Sequence, residues 1–136
     1  MIVIVEYNAV LGSKHAVTVP YDPGFIRTRA HHSNLFYGAS LAALRDLGAE
    51  KGYAFLGCNR AGNNAYFVRR DRLGPLVELP DGEGFVPSRF RESRDYNGAP
   101  TFLSGDARLR EIASCTLYDT RTRELVQIAS LLDRED

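Results

Sequence analysis

The run from Ile2 to Val5 constrains the fold of this chain more than any other feature of its sequence. Four consecutive β-branched, apolar residues without polar alternation predict a strand buried on both faces, as in the parallel sheet of an α/β protein. The polar residues Glu6, Tyr7 and Asn8 follow directly. Because α/β folds bind ligands at the carboxyl ends of such strands, these three residues are the first candidates for a functional site.

The next elements are predicted from the changing period of the apolar residues. Residues 36–51 are predicted to form a helix that ends at Gly52, with Leu41, Leu44 and Leu47 on one stripe. Apolar strands are predicted over 53–56 and 64–68, separated by a turn-rich segment. The first 71 residues are therefore expected to read strand, long loop, helix, strand, strand.

Five short blocks in this first half share one resemblance. They are Val5-Glu6-Tyr7-Asn8, Val19-Pro20-Tyr21-Asp22-Pro23, Tyr37-Gly38-Ala39-Ser40-Leu41, Glu50-Lys51-Gly52-Tyr53 and Gly62-Asn63-Asn64-Ala65-Tyr66-Phe67-Val68. These blocks resemble the C-terminal half of class I S-adenosylmethionine-dependent methyltransferase-like proteins, of the kind related to the FkbM methyltransferases. Segments around Phe90–Asp95, Leu103–Gly105 and Leu117–Asp119 look like an extension that such proteins carry.

The resemblance implies an α/β fold in two parts. Residues 1–71 would form a partial Rossmann-like sheet, made of the family's fifth strand, its fifth crossover helix and its terminal antiparallel hairpin. Residues 72–136 would form an α+β extension with a loop, a short helix and a β-hairpin.

The cofactor-binding parts of that family would all lie upstream of Met1. These parts are a Gly-rich loop after the first strand, an acidic residue for the cofactor ribose and an acidic motif after the fourth strand. The one GxG in the chain, Gly82-Glu83-Gly84, sits in a Pro- and Gly-rich loop without a predicted strand before it or helix after it. The resemblance therefore implies S-adenosylmethionine as the cofactor, but we expect this chain alone to bind none and to need a cofactor-binding half in trans.

Composition argues against several other classes. The 17 Lys and Arg residues balance 17 Asp and Glu residues, so we expect neither nucleic acid nor an anionic membrane as a partner. The sequence contains neither an apolar run long enough for a membrane span nor a secretory leader, which favours the cytoplasm. Cys58 and Cys115 lack metal-ligand spacing, so reduced thiols and no metal site are predicted.

The second half is predicted to be mostly irregular before it ends in a hairpin. Residues 73–84 form a connector rich in Pro and Gly. Ser104 is expected to cap a short helix whose apolar face includes Leu109 and Ile112. Residues 116–118 and 124–128 are predicted to pair as the hairpin.

Two residues are candidates for catalysis. Glu6 stands where a buried strand meets the ligand-side loop, so it could act as a general base or bind a hydroxyl or amine of a substrate. The alternative is that Glu6 only accepts hydrogen bonds from loop amides. His32 precedes the predicted helix and could serve as an acid or base, although a capping or surface role is the simpler alternative.

Five further residues, all within the resembling blocks, are candidates for substrate binding: Tyr7, Asn8, Tyr37, Ser40 and Asn63. Glu6 and Asn8, with Tyr37 and His32 as weaker members, are expected to line the most polar concavity of the fold, because the end of the first strand and the start of the following helix face the same edge in a right-handed crossover. For Asn63 a turn role is the alternative, and for Tyr37 a core role.

Two functions from different classes fit these observations. The first is the acceptor-side half of a methyltransferase, inactive without a cofactor-binding half. The second is a small non-catalytic α/β protein that binds a ligand or a partner. In either case the apolar first strand needs a cover. We expect a homodimer whose apolar interface includes this strand or its covering helix; the alternatives are the C-terminal hairpin and a partner polypeptide.

Overall fold

The computed structural model describes residues 1–132, which form two three-stranded antiparallel sheets and four α-helices. The strands are β1 (Ile2–Glu6), β2 (Val17–Thr18), β3 (Tyr53–Cys58), β4 (Asn64–Arg69), β5 (Thr116–Asp119) and β6 (Glu124–Gln127). The α-helices are α1 (Arg27–Ala30), α2 (Leu41–Glu50), α3 (Asp106–Glu111) and α4 (Ile128–Leu132), and single 3₁₀ turns span Ala9–Leu11 and Arg70–Arg72. The protein is thus of the mixed α/β kind.

The first sheet has the order β1-β4-β3, with β4 antiparallel to both neighbours. It follows that β1 and β3 run in the same direction but do not touch, because the β3–β4 hairpin folds β4 back between them. The parallel sheet expected from the apolar run of β1 is therefore not what these residues form. Local sequence predicts that a segment is a strand, but which strand lies beside it is decided by long-range pairing.

The expectation that β1 is buried on both faces is also wrong for this structure. Val3 and Val5 pack toward α2 and are partly buried, whereas Ile2 and Ile4 on the opposite face are 66% and 60% exposed. Within residues 1–132, β1 is an edge strand with one paired neighbour and one covering helix.

Helix α2 begins at Leu41, five residues later than predicted. The preceding backbone is extended and bonds to neighbouring loops, since Ala39 accepts from the amide of Asn8 and Ser40 donates its amide to Val17. These bonds cannot form from a helix. The first core lies between α2 and the sheet, where Leu41 packs against Phe55 and Phe67, whose ring centroids are 5.4 Å apart.

The second sheet has the order β2-β5-β6. The hairpin of β5 and β6 confirms the prediction, except that Ile128 begins α4 instead of extending the strand. The hairpin pairs with β2, a two-residue strand that the sequence did not predict, and not with β1. Intramolecular cover of β1 by this hairpin is therefore excluded for the described residues.

The segment between β4 and α3 has no helix or strand beyond the 3₁₀ turn, yet it is anchored to the first sheet. Leu79 donates its amide to Phe55, and Arg89 donates its amide to Ala61. Helix α3 begins after Gly105, whose φ is +53°, and no side chain caps it, so the predicted cap at Ser104 is wrong. A left-handed glycine turns the chain into the helix here, leaving the Ser104 hydroxyl without a capping position.

None of the helices among residues 1–132 is long and apolar enough to cross a membrane.

Candidate functional site

A cavity of about 70 Å³ lies beside the carboxyl end of β1. Three residues singled out from the sequence line it: Glu6 at the end of β1, Tyr37 in the loop before α2, and Asn63 in the β3–β4 turn. Glu6 stands opposite Asn64 in the strand register, which brings the end of β1 beside that turn. The structure thus brings these three together from three separate segments of the chain.

Four charged residues surround this cavity, and Tyr37 lies among them. Glu6 and Glu92 supply the carboxylates, and Arg27 and Arg108 supply the guanidinium groups. Burial raises the pKa of the Tyr37 hydroxyl above its ordinary value; Arg27 and Arg108 pull the pKa down, while Glu6 and Glu92 push it up. The Tyr37 hydroxyl therefore stays protonated at neutral pH and can donate a hydrogen bond.

Arg27 is engaged by three partners in this region. Its guanidinium lies 3.7 Å from the centroid of the Tyr37 ring, its Nε donates to the Asn34 carbonyl at 2.8 Å, and its Nη2 is 3.3 Å from the Glu92 carboxylate. The stack on Tyr37 is a cation–π contact. These contacts fix the Tyr37 ring and neutralise Glu92.

Arg108, on α3, differs from Arg27 because its side chain is buried and has no carboxylate partner comparable to Glu92. The residue is 6% exposed, and its Nε has no hydrogen-bond partner in the part of the chain that the structure describes. Nη1 reaches the carbonyls of Ser88 and Phe90 only at 3.4 and 3.5 Å. Burial lowers the pKa of this guanidinium below its ordinary value, against a smaller opposing effect of Tyr37.

Two of the predicted binding residues are buried away from the cavity and hold loops together. Asn8 is fully buried; its amide group donates to the carbonyls of Leu35 and Tyr37, both at 2.9 Å, and its Oδ1 accepts from Val10. Tyr7 is 1% exposed and donates its hydroxyl to the Val86 carbonyl. Burial, together with the Cys58 side chain, raises the pKa of the Tyr7 hydroxyl.

Ser40 and His32 also lie outside the cavity lining. The Ser40 hydroxyl caps α2 by accepting from Ala43, accepts from the Val17 amide at 3.0 Å, and donates to the His15 carbonyl at 2.7 Å. The Nε2 of His32 lies 2.9 Å from the Glu111 carboxylate, and the ring stacks on Tyr96 at 3.7 Å. Both residues connect elements that are distant in sequence.

Sequence reasoning did not single out Arg27 or Arg108. One signal was present for Arg108, which stands four residues before Ile112 and therefore on the same side of a helix as a core residue. A charged residue on a core-facing stripe is unusual and indicates a partner or a site. For Arg27 no comparable signal exists, because its stacking partner is set by the fold of the 19–40 loop.

Within residues 1–132, no group of three or more His, Cys, Asp and Glu side chains could hold a metal ion. No family model, curated protein or solved structure matches this chain in comparisons of sequence and fold. The site is therefore interpreted from its own geometry.

Proposed function

We propose that this chain is the acceptor-side module of a methyltransferase-like protein, and that the cavity beside β1 receives the acceptor. The observation that carries the proposal is the convergence of Glu6, Tyr37 and Asn63, three residues from separate resembling blocks, on one polar cavity. A polar cavity at the carboxyl end of a strand is a common position for a ligand site in α/β proteins.

The order of the elements supports this proposal. The resemblance implies a strand, a crossover helix and a terminal antiparallel hairpin, and β1, α2 and the β3–β4 hairpin follow in that order. Helix α2 packs on the sheet that β1 and the hairpin share, through Leu41 and the partly buried Leu44.

Within the cavity, Glu6 is the group suited to take a proton from an acceptor hydroxyl or amine. Its carboxylate is exposed at the rim, where an incoming acceptor would meet it. Tyr37, held by Arg27, is placed to donate a hydrogen bond to the same ligand. A general base must lie within hydrogen-bond reach of the proton that it removes, and a rim position allows this.

The described residues do not fit S-adenosylmethionine. The only GxG lies in the loop after β4, where Gly84 packs so closely that an added Cβ would come within 2.7 Å of Leu79 and Phe55 side-chain atoms. Close packing on the sheet therefore accounts for this glycine, and we derive no chemical step of this chain through the cofactor. The proposal assigns cofactor binding to a separate half.

The unpaired edge of β1 supports the proposal of a separate cofactor-binding half. The outer edge of β1 is unpaired within residues 1–132, and Ile2 and Ile4 are mostly exposed beside it. Next to this edge an apolar groove of about 260 Å³ is lined by Val3, Val5 and Leu44, among others. An exposed, apolar edge strand readily adds another strand. We propose that the cofactor-binding half pairs here, and that a second copy of the chain does so when that half is missing.

The proposal is tested by mixing the purified chain with the separately expressed cofactor-binding half of an FkbM-related methyltransferase. Calorimetry with S-adenosylmethionine should give saturable heat for the mixture and none for this chain alone. The Ile4→Lys variant should lose the effect, because a charge on β1 opposes pairing. A mixture that binds no more cofactor than its foreign half does would contradict the proposal.

The second candidate function is a non-catalytic ligand-binding protein. It is favoured by one observation: the described residues of this chain form the cavity and its buried Arg108 without any partner chain. This candidate predicts ligand binding by the isolated chain without any cofactor-dependent partner.

A further inference from the structure

We propose that the cavity beside β1 binds an oxyanion group, a carboxylate or a phosphate, with Arg108 as its principal partner. The inference deepens the proposed function by naming the ligand class, and it rests on that function only for the claim that this ligand is a methyl acceptor.

Without a ligand, the buried guanidinium of Arg108 has few hydrogen-bond partners. A guanidinium presents five N–H donors, and a buried charge is costly unless it is paired. Arg108 is 6% exposed, yet its Nε is unpartnered among the described residues and its Nη1 bonds are long. The guanidinium of Arg108 therefore has few good hydrogen bonds. Unsatisfied donors cost the most free energy when they are buried, as they are here.

The carboxylates near the cavity do not form an ion pair with Arg108. Glu92 is paired with Arg27 at 3.3 Å, and no described carboxylate forms an ion pair with Arg108. Glu6 is exposed at the rim, where solvent screens its charge. Arg108, which has no ion-pair partner among the described residues, therefore lines the cavity, and the solvated carboxylate of Glu6 lies at its mouth.

The cavity is partly open, with Glu6 exposed at its rim and the buried Arg108 in its wall. A ligand whose carboxylate or phosphate group meets Arg108 can therefore extend toward the rim. The ligand is accordingly an acid whose hydroxyl or amine would face Glu6.

The donors that line the cavity suit an oxyanion. Arginine binds carboxylate and phosphate oxygens through paired N–H donors, and such charge-assisted hydrogen bonds are the stronger kind. The protonated hydroxyl of Tyr37 adds a neutral donor to the same cavity.

The test uses the isolated chain with acetate, inorganic phosphate and methyl phosphate as probes, each against chloride at constant ionic strength. We expect a saturable rise of the melting temperature with one of the two oxyanion classes, which identifies the source. The ¹H–¹⁵N signal of the Arg108 Nε should move along the same binding curve. Arg108→Met should abolish both responses, and Arg108→Lys should weaken binding about tenfold because it removes the paired donors. The matched control is Arg110→Gln, which changes an exposed residue two positions along α3 and should respond as the wild type does.

A second measurement separates binding from structure. Without any ligand, Arg108→Met should melt at the same temperature as the wild type or higher, since it removes an uncompensated buried charge. A large loss of stability in this variant, an unchanged anion response, or no saturable response in the wild type would each overturn the inference. Anion binding without any gain of cofactor binding in the mixture with the foreign half would overturn the proposed function alone.

Discussion

At the scale of single residues, the carboxyl end of β1 is followed by one side chain that faces the cavity rim and another that is buried and structural. Glu6 is exposed at the rim of the cavity, whereas Asn8, two residues later, is fully buried and joins its own segment to residues 35–37. Both follow the same apolar strand and resemble site residues when only the sequence is considered. Their tasks differ because the loops at 35–39 fold over Asn8 and leave Glu6 uncovered.

Asn8→Asp is expected to destabilise the protein by about 3 kcal/mol, because two buried carbonyls lose their donors and face a carboxylate. The carbonyls are those of Leu35 and Tyr37. Urea denaturation followed by circular dichroism measures the change. Asn97→Asp, in an exposed turn, serves as the control and should change stability by less than about 0.5 kcal/mol. Equal stability of the two variants would mean that the Asn8 bonds contribute nothing.

At the scale of elements, the β3–β4 turn is one of the points where the irregular segment is attached to the first sheet. The Asn59 side chain accepts hydrogen bonds from the amides of Gly62, Asn63 and Asn64, which shapes the turn. Gly62 has φ +74°, and a Cβ placed on it would come within 2.3 Å of the Pro87 carbonyl oxygen. The close approach of two backbones here places Ser88 on the cavity.

Gly62→Ala is therefore expected to cost at least about 3 kcal/mol, because the strain of a left-handed backbone adds to a backbone clash. The control is Gly98→Ala, where φ is +80° but an added Cβ meets no atom within 4 Å. That variant should lose only about 1 kcal/mol from backbone conformation. The difference between the two unfolding free energies isolates the clash, and a difference near zero would show that the 87–88 segment yields without cost.

At the scale of the whole molecule, the unpaired edge of β1 is the main feature that the described residues leave open. The isolated chain is expected to dimerise by pairing β1 with the β1 of a second copy, because this edge is apolar and has no charged side chain from Met1 to Val5. Light scattering at micromolar concentration should give the mass of a dimer.

Ile4→Lys should convert this dimer to a monomer, whereas Leu125→Lys should not. Leu125 is a suitable control because it is 67% exposed on β6, the edge strand of the other sheet. A wild-type chain that is monomeric, or a dimer that survives Ile4→Lys, would exclude pairing through this edge.

Most of the longer elements followed from local sequence, whereas β2, α1 and α4 did not. The apolar run of β1, the leucine stripe of α2, the β3–β4 hairpin and the β5–β6 hairpin were all predictable, because each depends on a period of side chains within one segment. Of the seven site candidates, Glu6, Tyr37 and Asn63 line the cavity, whereas Tyr7, Asn8, His32 and Ser40 do not. A polar residue beside a strand end can equally be covered by a neighbouring loop, and local sequence does not decide which.

Only the tertiary structure decided how those elements pair and which polar residues face a cavity. The insertion of β4 between β1 and β3, the exposure of Ile2 and Ile4, and the pairing of β2 with β5 all join residues far apart in sequence. The burial of Arg108 also depends on a distant part of the chain, because the loop segment around Ser88, 20 residues earlier in the sequence, packs against it. Local propensity fixes the backbone of a segment, but burial and partnership depend on the rest of the chain, so neither could be inferred before the fold was known.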